Sequence, residues 1–537
     1  MTRPVPVDLS RTDGVGSVVG LLRPPIVVNP NNLGFLAPVP PLGIAYLAAA
    51  VRACGHEVQV VDAAGEALDR YIEFPTAAGP MGRIGLDPVD AVARLRDDTD
   101  VIGINLMFLH EWHQALELAR AARRRFPRAM IVAGGETSTA CRDELLAAAP
   151  EIDHLVLGEG EQTFTEMLHR RATGRSLSDI DGLVSRTTES GRDVAAPGLP
   201  VRLRGLEQLP RPAWDLIPLE SYWAHNPHGV NRGRSMPMLA TRGCPYKCTF
   251  CSSPQMWTTR YVVRDPDDLA DEMAEYVERF GIANVNFHDL TAITKRQWTL
   301  DLCDALERRG VDVSWQLPVG TRSEALDGEV LGRLFAAGCR NLTYAPESGS
   351  PRLLAIMDKR VDLDHILLSV RAARQVGISP AMNFIIGHPH ERWSDLWKTF
   401  RCAMRASWAG CDDLSPIIFA PYPGSKDWDD LAADGKVTLD DVAFYGGVNR
   451  AGRSSQSWNQ RLSGRQLRAV QLGMLAAFYA VRLVRDPGRV RRIARARQTG
   501  EETTHLDELL RGRRDMRAQQ HRLHTEVEGE PAASLAD

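Results

Sequence analysis

The stretch Met236-Pro237-Met238-Leu239-Ala240-Thr241-Arg242-Gly243-Cys244-Pro245-Tyr246-Lys247-Cys248-Thr249-Phe250-Cys251 sets a short apolar run in front of three cysteines that fall within eight residues. The run predicts a β-strand over Met236–Thr241. The cysteines have the spacing Cys-x3-Cys-x2-Cys. Thiolates are the usual ligands of iron–sulfur clusters, and three of them leave one iron of a cubane open to a molecule that chelates through oxygen and nitrogen. Structural zinc wants four closed ligands, usually two Cys-x2-Cys or Cys-x2-His pairs, and no second pair lies nearby. The expectation is a 4Fe–4S cluster on Cys244, Cys248 and Cys251 at the carboxyl end of a strand. The six other cysteines are scattered through apolar segments and read as small buried hydrophobes.

Outward from this stretch, a βα series runs over residues 233–430. Its strand candidates are Met236–Thr241, Asn284–Phe287, Val313–Leu317, Asn341–Ala345, Met382–Ile386 and Ser415–Phe419, with helical patterns between them. Six parallel strands with helices outside predict a partial (β/α)6 barrel whose working face is the carboxyl end of the strands. The cysteines follow the first strand, on that face.

Residues 18–175 form a second α/β series. Apolar runs at Pro25–Asn29, Val58–Asp62, Val101–Asn105, Met130–Ala133 and His154–Leu157 alternate with helical patterns such as Leu42–Ala53 and Trp112–Arg125. This spacing predicts a doubly wound parallel sheet with helices on both faces, its ligands outside the carboxyl ends of the strands. Residues 176–232 are proline-rich and read as a linker packed between the domains. Residues 431–498 read as a helical C-terminal region, and 1–17 and 499–537 as tails, the latter partly disordered. An apolar helix over 465–484, followed by arginines to Arg497, is either a helix packed on the barrel or a peripheral membrane contact through 465–497.

At 537 residues the chain exceeds one ordinary core. A net charge of −4 gives no reason to expect nucleic acid as a partner. No basic-then-apolar signal opens the sequence, and no run of 18 uncharged apolar residues occurs. The expected compartment is cytoplasmic.

The cysteine spacing, with Phe250 just before the third cysteine, resembles the radical S-adenosylmethionine superfamily. The resemblance implies that the open iron chelates the amino and carboxylate groups of S-adenosylmethionine and that one electron releases a 5′-deoxyadenosyl radical. Further segments match at their proper distances: Phe287-His288-Asp289, Gly320-Thr321-Arg322-Ser323-Glu324, Tyr344-Ala345-Pro346-Glu347-Ser348-Gly349-Ser350, Asn383, and Gly387-His388-Pro389-His390-Glu391. They imply S-adenosylmethionine contacts at Phe250, Asp289, Arg322, Glu347, Ser348, Gly349, Asn383 and Gly387. Glu347 has a structural alternative as an ion-pair partner. His388 and His390 stand where relatives carry phenylalanine and glycine, and read as a polar loop or an acid–base group. Pro421-Tyr422-Pro423-Gly424-Ser425 reads as a turn rimming the site.

In the first domain, Pro40-Pro41-Leu42-Gly43, Gly55-His56-Glu57-Val58, Gly134-Gly135 and Gly158-Glu159-Gly160-Glu161 occur in the order of the cobalamin-binding domain fused in front of many radical S-adenosylmethionine enzymes. This implies cobalamin contacts at Gly43, Asn105, Met107, Gly134, Gly135, Gly158 and Glu159, with Met107 or Leu109 near cobalt. Asp-x-His-x-x-Gly, whose histidine ligates cobalt from below in the mutase type, is absent here, so the variant without a histidine ligand is implied. The combined resemblance implies a cobalamin-dependent methyltransferase acting on an unactivated carbon, or on phosphorus, of a small molecule such as a natural product or lipid. An external flavodoxin- or ferredoxin-like electron donor goes with it. The alternatives are a ring-forming or oxidative reaction like that of the anaerobic bacteriochlorophyll cyclase, which the sequence also resembles, and, more distantly, a cobalamin-binding regulator.

Overall fold

The computed structural model describes residues 16–30, 38–186, 202–203, 205–225, 229–448, 456–499, 502–504, 506–507, 510–511 and 514. Most of the two expected tails, and Pro197 and Pro200 of the expected linker, lie outside the described residues.

The first sheet contains β1 (Val18–Arg23), β2 (Glu57–Asp62), β3 (Val101–Asn105), β4 (Met130–Gly134), β5 (His154–Val156) and β6 (Leu183–Ser185) in the order β2-β1-β3-β4-β5-β6. All pairings are parallel except that of β6, which runs antiparallel at the edge. The parallel strands are almost wholly buried, as expected for a sheet covered by helices on both faces. One expectation is corrected here. Pro25–Asn29 is not a strand of this sheet. Val18–Arg23 takes that place, and Ile26–Val28 pairs antiparallel in a small separate sheet with Met81–Ile84, which also pairs with Tyr71–Phe74. Glycine at position 20 hides the first strand from an apolar-run search. It is needed there because a Cβ would sit 2.6 Å from a Leu95 methyl. The sheet also reaches past residue 175, since β6 lies in the stretch read as linker.

The second sheet is fully parallel: β7 (Ser235–Met238), β8 (Asn284–Phe287), β9 (Ser314–Thr321), β10 (Cys339–Glu347), β11 (Ser379–Ile386) and β12 (Asp413–Ile418), in chain order. The partial six-stranded barrel is as expected. Its connecting helices carry strong local signals. Before the Pro266–Phe280 helix, Asp265 accepts from the amides of Asp267 and Asp268, Pro266 sits in the first turn, and Gly281 ends the helix at φ 61°. Side-chain alternation divides the strands. Met382, Phe384 and Ile386 of β11 face the helices, which leaves Asn383 and Ile385 on the inner face. Lower in the barrel the inner face is polar. Asn286 Oδ1 accepts from Asn284 and from Gln316, each at 2.7 Å, and Asn284 also donates to Ser235 Oγ.

The segment between the sheets locks them together. Trp214 Nε1 donates to Tyr276 Oη of a barrel helix at 2.7 Å. Tyr222 Oη, fully buried, donates at 2.6 Å to Asp62 at the end of β2, beside Arg23 at the end of β1. The Gly464–Arg485 helix is long and apolar enough to cross a bilayer by length and composition. One side of it nevertheless packs on the barrel through Leu467, Met474 and Phe478, and Arg482 and Arg489 are buried against Asp412 and Asp413 at the start of β12. The arginines expected at a membrane surface are therefore partly structural. Near the same end of the barrel, Thr503 O accepts from Asn341 Nδ2 and the Leu506 amide contacts Asp413 Oδ1 at 3.3 Å.

Removing one member of a buried ion network leaves uncompensated charge, at a cost of about 3–5 kcal/mol. Asp412→Ala strips Arg482 of its closest carboxylate partner and is expected to lower the unfolding free energy by an amount in that range, read as a lower urea midpoint. Arg405→Ala, in an exposed pair with Asp364, leaves the midpoint almost unchanged.

Candidate active site between the two sheets

The cluster loop begins where β7 ends. Asp289, which follows β8, accepts from the Ala240 amide at 3.1 Å and from Thr241 Oγ1 at 2.6 Å, so it orders the entry to the loop. Burial pushes the Asp289 carboxyl up to about 6. Further along, the Thr249 amide donates to Met357 O and Thr249 O accepts from the Asp427 amide. Arg322 lies over the Tyr246 ring, its guanidinium carbon 3.6 Å from the ring centroid. Cys244, Cys248 and Cys251 are half-buried, whereas Cys141, Cys303, Cys339, Cys402 and Cys411 are buried. Of the six expected as small core hydrophobes, these five are, whereas Cys54 is half-buried.

Among the described residues, no group of three or more His, Cys, Asp or Glu side chains forms a single-ion site. In a cubane each thiolate binds its own iron, so three cysteines on one loop can each take one. The donor set, three half-buried cysteines on one loop, fits a 4Fe–4S cluster. Burial pushes the Cys251 thiol up to about 12, so its thiolate form depends on the metal.

Three contacts tie this loop to the strand ends of the first sheet. Arg242, just before the loop's glycine, is buried and bonds Glu161 at 2.7 Å and Glu159 at 3.3 Å. Ser252 Oγ, just after Cys251, donates to Glu136 Oε1. The Ser253–Trp257 helix packs on the Glu136–Ala140 helix that follows Gly135, with Thr139 Oγ1 3.6 Å from Met256 Sδ. The carboxyl ends of the two sheets are thereby brought together at this seam. Gly424 of the turn expected at the rim sits there too. Its Cβ would meet Gln255 and Ala140.

In the first sheet, strand order reverses between β1 and β3, which is where such folds hold ligands. Gly135 has φ 117°, and a Cβ there would lie 2.6 Å from Leu106 O, so the Gly134-Gly135 loop touches the Asn105–Phe108 loop through bare backbone. Gly134 itself has room for a Cβ, 3.5 Å from Val156 O. Gly158, at φ 71°, donates its amide to Thr139 Oγ1. Gly43 faces open space. Asn105 and Met107 are half-buried at the crevice, while Leu109 belongs to the core. Phe108, which the sequence reading passed over, is 49% exposed and stacks on His110. Ser138 Oγ and Gln114 Oε1 are buried without a hydrogen-bond partner, on the helices that leave the crevice. Orphan polar atoms beside a bare-backbone cradle fit a large ligand edged with amides, as a corrin is. Glu159 is turned away from the crevice, since Arg202, Arg242 and the Leu203 amide take its carboxylate.

Apart from Asp289, which is taken up by Ala240 and Thr241, the residues expected around S-adenosylmethionine divide into two groups. Phe250, Arg322, Glu347 and Asn383 surround the cluster loop or the barrel's inner face. Glu347 adopts φ 67° and pairs with Lys359 Nζ at 3.0 Å, and that ammonium lies 6.0 Å from the Phe250 ring centroid. Asn383 has no side-chain partner among the described residues. The second group faces the outer helices. Ser348 Oγ bonds Thr399 Oγ1, a Cβ on Gly349 would lie 2.5 Å from Lys398 O, and one on Gly387 would meet Leu467.

A roof missed in the sequence closes the site. Phe419, Trp428, Leu431 and Val437 form a small core against which Phe250, Ile385 and Trp458 pack. The Asp441–Gly446 helix crosses to the first domain, where Phe444 stacks on Trp112 and Asp441 accepts from the Ala77 amide. His388 is fully buried, with Nε2 2.9 Å from Asp427 and Nδ1 accepting from the His390 amide, so it braces this roof.

Residues 238–403 match the model of the radical SAM superfamily, and residues 34–168 match that of the B12 binding domain. The chain is a cobalamin-binding-domain-containing member of the radical SAM superfamily. Its cofactors are a 4Fe–4S cluster, S-adenosylmethionine and cobalamin. An uncharacterized methyltransferase of Pyrococcus horikoshii is 28% identical over 73% of this chain and 78% of its own. The anaerobic magnesium-protoporphyrin IX monomethyl ester cyclase of Rubrivivax gelatinosus is 26% identical over 76% of this chain and 68% of its own. Among solved structures, the radical S-adenosylmethionine methyltransferase TsrM of Kitasatospora setae, with cobalamin and a [4Fe-4S] cluster bound, superposes with a TM-score of 0.60. It covers 78% of each chain at 20% identity, a likeness of fold.

Two tests follow. Alanine at Cys244, Cys248 or Cys251 is expected to abolish cluster retention after anaerobic reconstitution, while Cys402→Ala keeps full iron content and loses only packing stability, about 1 kcal/mol or somewhat more. Iron and sulfide analysis reads both. Glu391, fully buried with Oε1 unpartnered, is pushed up to about 8 by burial. The folded protein therefore holds a proton on Glu391 that the unfolded chain releases near 4.5, so this stabilisation is complete below that pH and is lost as pH rises through 8. Melting temperature should fall between pH 6 and pH 9 more steeply in the wild type than in Glu391→Gln. Parallel curves would refute the assignment.

Proposed function

We propose that the protein transfers a methyl group to an unactivated carbon, or to phosphorus, of a small-molecule substrate held between the two sheets. The observation that carries this reading is the seam that fixes the cluster loop against the Gly135 and Gly158 loops. When bound, S-adenosylmethionine on the cluster and cobalamin supply a hydrogen-abstracting radical and a methyl carrier.

The chain's own part is positional. Cys244, Cys248 and Cys251 hold the cluster, and Arg322 and Tyr246 stiffen its loop. Phe250, Arg322, Glu347 and Asn383 are the candidate S-adenosylmethionine contacts. Gly135, Gly158, Asn105 and Met107, with Phe108, Ser138 and Gln114, are the candidate corrin contacts. The apolar roof of Phe419, Trp428 and Trp458 keeps water from the chamber, which protects a reactive radical. An external one-electron donor of flavodoxin or ferredoxin type completes the system, and exposed Pro245 and Lys247 place part of the cluster loop at the surface.

A cyclase-type reaction is the second reading, favoured by the magnesium-protoporphyrin relative. The two separate by product. Reduced holoenzyme given S-adenosylmethionine alone should release S-adenosylhomocysteine if methyl transfer is the reaction. Release of 5′-deoxyadenosine with no S-adenosylhomocysteine would overturn methyl transfer in favour of the cyclase.

A further inference from the structure

The outer side of the barrel carries a surface that the site does not use. On the Trp393–Ala409 helix, Trp393, Trp397 and Trp408 are 51%, 59% and 55% exposed, and the indole of Trp397 stacks on Phe400. They recur at helical spacing, with Met404 half-buried between the last two. The neighbouring Leu363–Val376 helix adds Leu368, 63% exposed, and a groove of ≈ 540 Å³ joins it through Met404 and Trp408 to Val481. Beyond the groove, the Gly464–Arg485 helix keeps its barrel side buried but turns Leu472, Ala476, Ala480 and Val484 to solvent, with no charge among them. Single exposed apolar residues are ordinary. A stripe of three tryptophans continuous with a bare helix face is not.

Charge decides the occupant. Although the whole chain is net acidic, these three helices and the following Arg489–Thr499 helix contain one exposed acid, Asp364, and Arg405 already pairs with it. Arg371, Lys398, Arg401 and Arg485 stand exposed among the apolar residues, and the Arg485 guanidinium carbon lies 4.9 Å from the Trp408 ring centroid. A second copy of the chain would bring the same positive charges face to face, since a two-fold contact sets a patch against itself. An anionic lipid surface matches both features. Indoles sit at the headgroup boundary, aliphatic side chains enter the acyl region, and arginines pair with phosphates.

We propose that this face docks the enzyme peripherally on anionic membrane, through the Trp393–Ala409 and Gly464–Arg485 helices. The surface runs the length of the Trp393–Ala409 helix, from beside the loop that closes β11 to Trp408, so docking would lay the outer side of the barrel on the bilayer. The surface differs from the one read in the sequence, because Arg482 and Arg489 are committed to Asp412 and Asp413 and the tryptophans of another helix take part.

The test is co-sedimentation of the full-length holoprotein with equimolar phosphatidylglycerol–phosphatidylcholine vesicles and with pure phosphatidylcholine vesicles, at low and high salt. Wild type should bind the anionic vesicles in a salt-sensitive way and the neutral ones at least roughly tenfold more weakly. The triple variant W393S/W397S/W408S and, separately, L472D/V484D should each lose at least roughly tenfold in anionic binding while retaining iron and cobalamin, which certifies their fold. Three results would overturn the proposal: no wild-type binding to anionic vesicles, unchanged binding in both folded variants, or a wild-type dimer in sedimentation velocity that the same variants dissociate. None of these depends on the reaction catalysed.

Discussion

Arg242 stands two residues before the first cluster cysteine, and its guanidinium is buried between Glu159 and Glu161 of the other domain. Tyr46 lies over it, the ring centroid 5.1 Å from the guanidinium carbon, and Trp257 lies on the cluster side. A buried charge of this kind costs several kcal/mol in lost hydration, and two carboxylates in good geometry offset that cost only while both domains are in register. The interaction therefore acts as a registration device. The rest of the seam follows from it: the Ser252–Glu136 contact, the packing of the Ser253–Trp257 helix on the helix after Gly135, and the common edge on which the carboxyl ends of the two sheets meet.

Arg202 strengthens the same seam from the segment between the domains. Its Nε lies 3.0 Å from Glu159 Oε2, although the alignment is that of an ion pair rather than a hydrogen bond. Tyr222 and Trp214 then clamp the segment to one sheet each. A linker built this way transmits little play. The second clamp is the Asp441–Gly446 helix, whose Phe444 and Tyr445 pack on Trp112 and Phe74 of the first domain.

The barrel and the cluster were legible because their signals are local. Six apolar runs, capped helices and a three-cysteine spacing each speak within a dozen residues, and they carry the partial barrel, the cluster and S-adenosylmethionine. The first strand was not legible, since Gly20 breaks its apolar run for a packing reason that lies 75 residues away at Leu95. Contacts such as Glu159 and Asp289 look like ligand contacts in sequence, because a carboxylate beside a glycine loop gives no hint of whether its partner is a cofactor or an arginine from another domain. The roof formed by Phe419, Trp428 and Trp458 was invisible for a similar reason, as its residues come together only once the chain has folded back over the barrel mouth. The C-terminal helix had two readings in sequence. Its barrel side settles the packed one, and the exposed side carries the new surface.

Arg242 holds the register in which the proposed cluster and cobalamin sites face each other across the seam. The most direct measurement is paramagnetic relaxation of cobalt(II) in the cobalamin-loaded protein, with the cluster reduced and with it oxidised. Cobalt relaxation should be markedly faster when the cluster is reduced, and the effect weaker in Arg242→Met, where the two domains lose their register. Identical relaxation in both cluster states of the fully loaded wild type would contradict it.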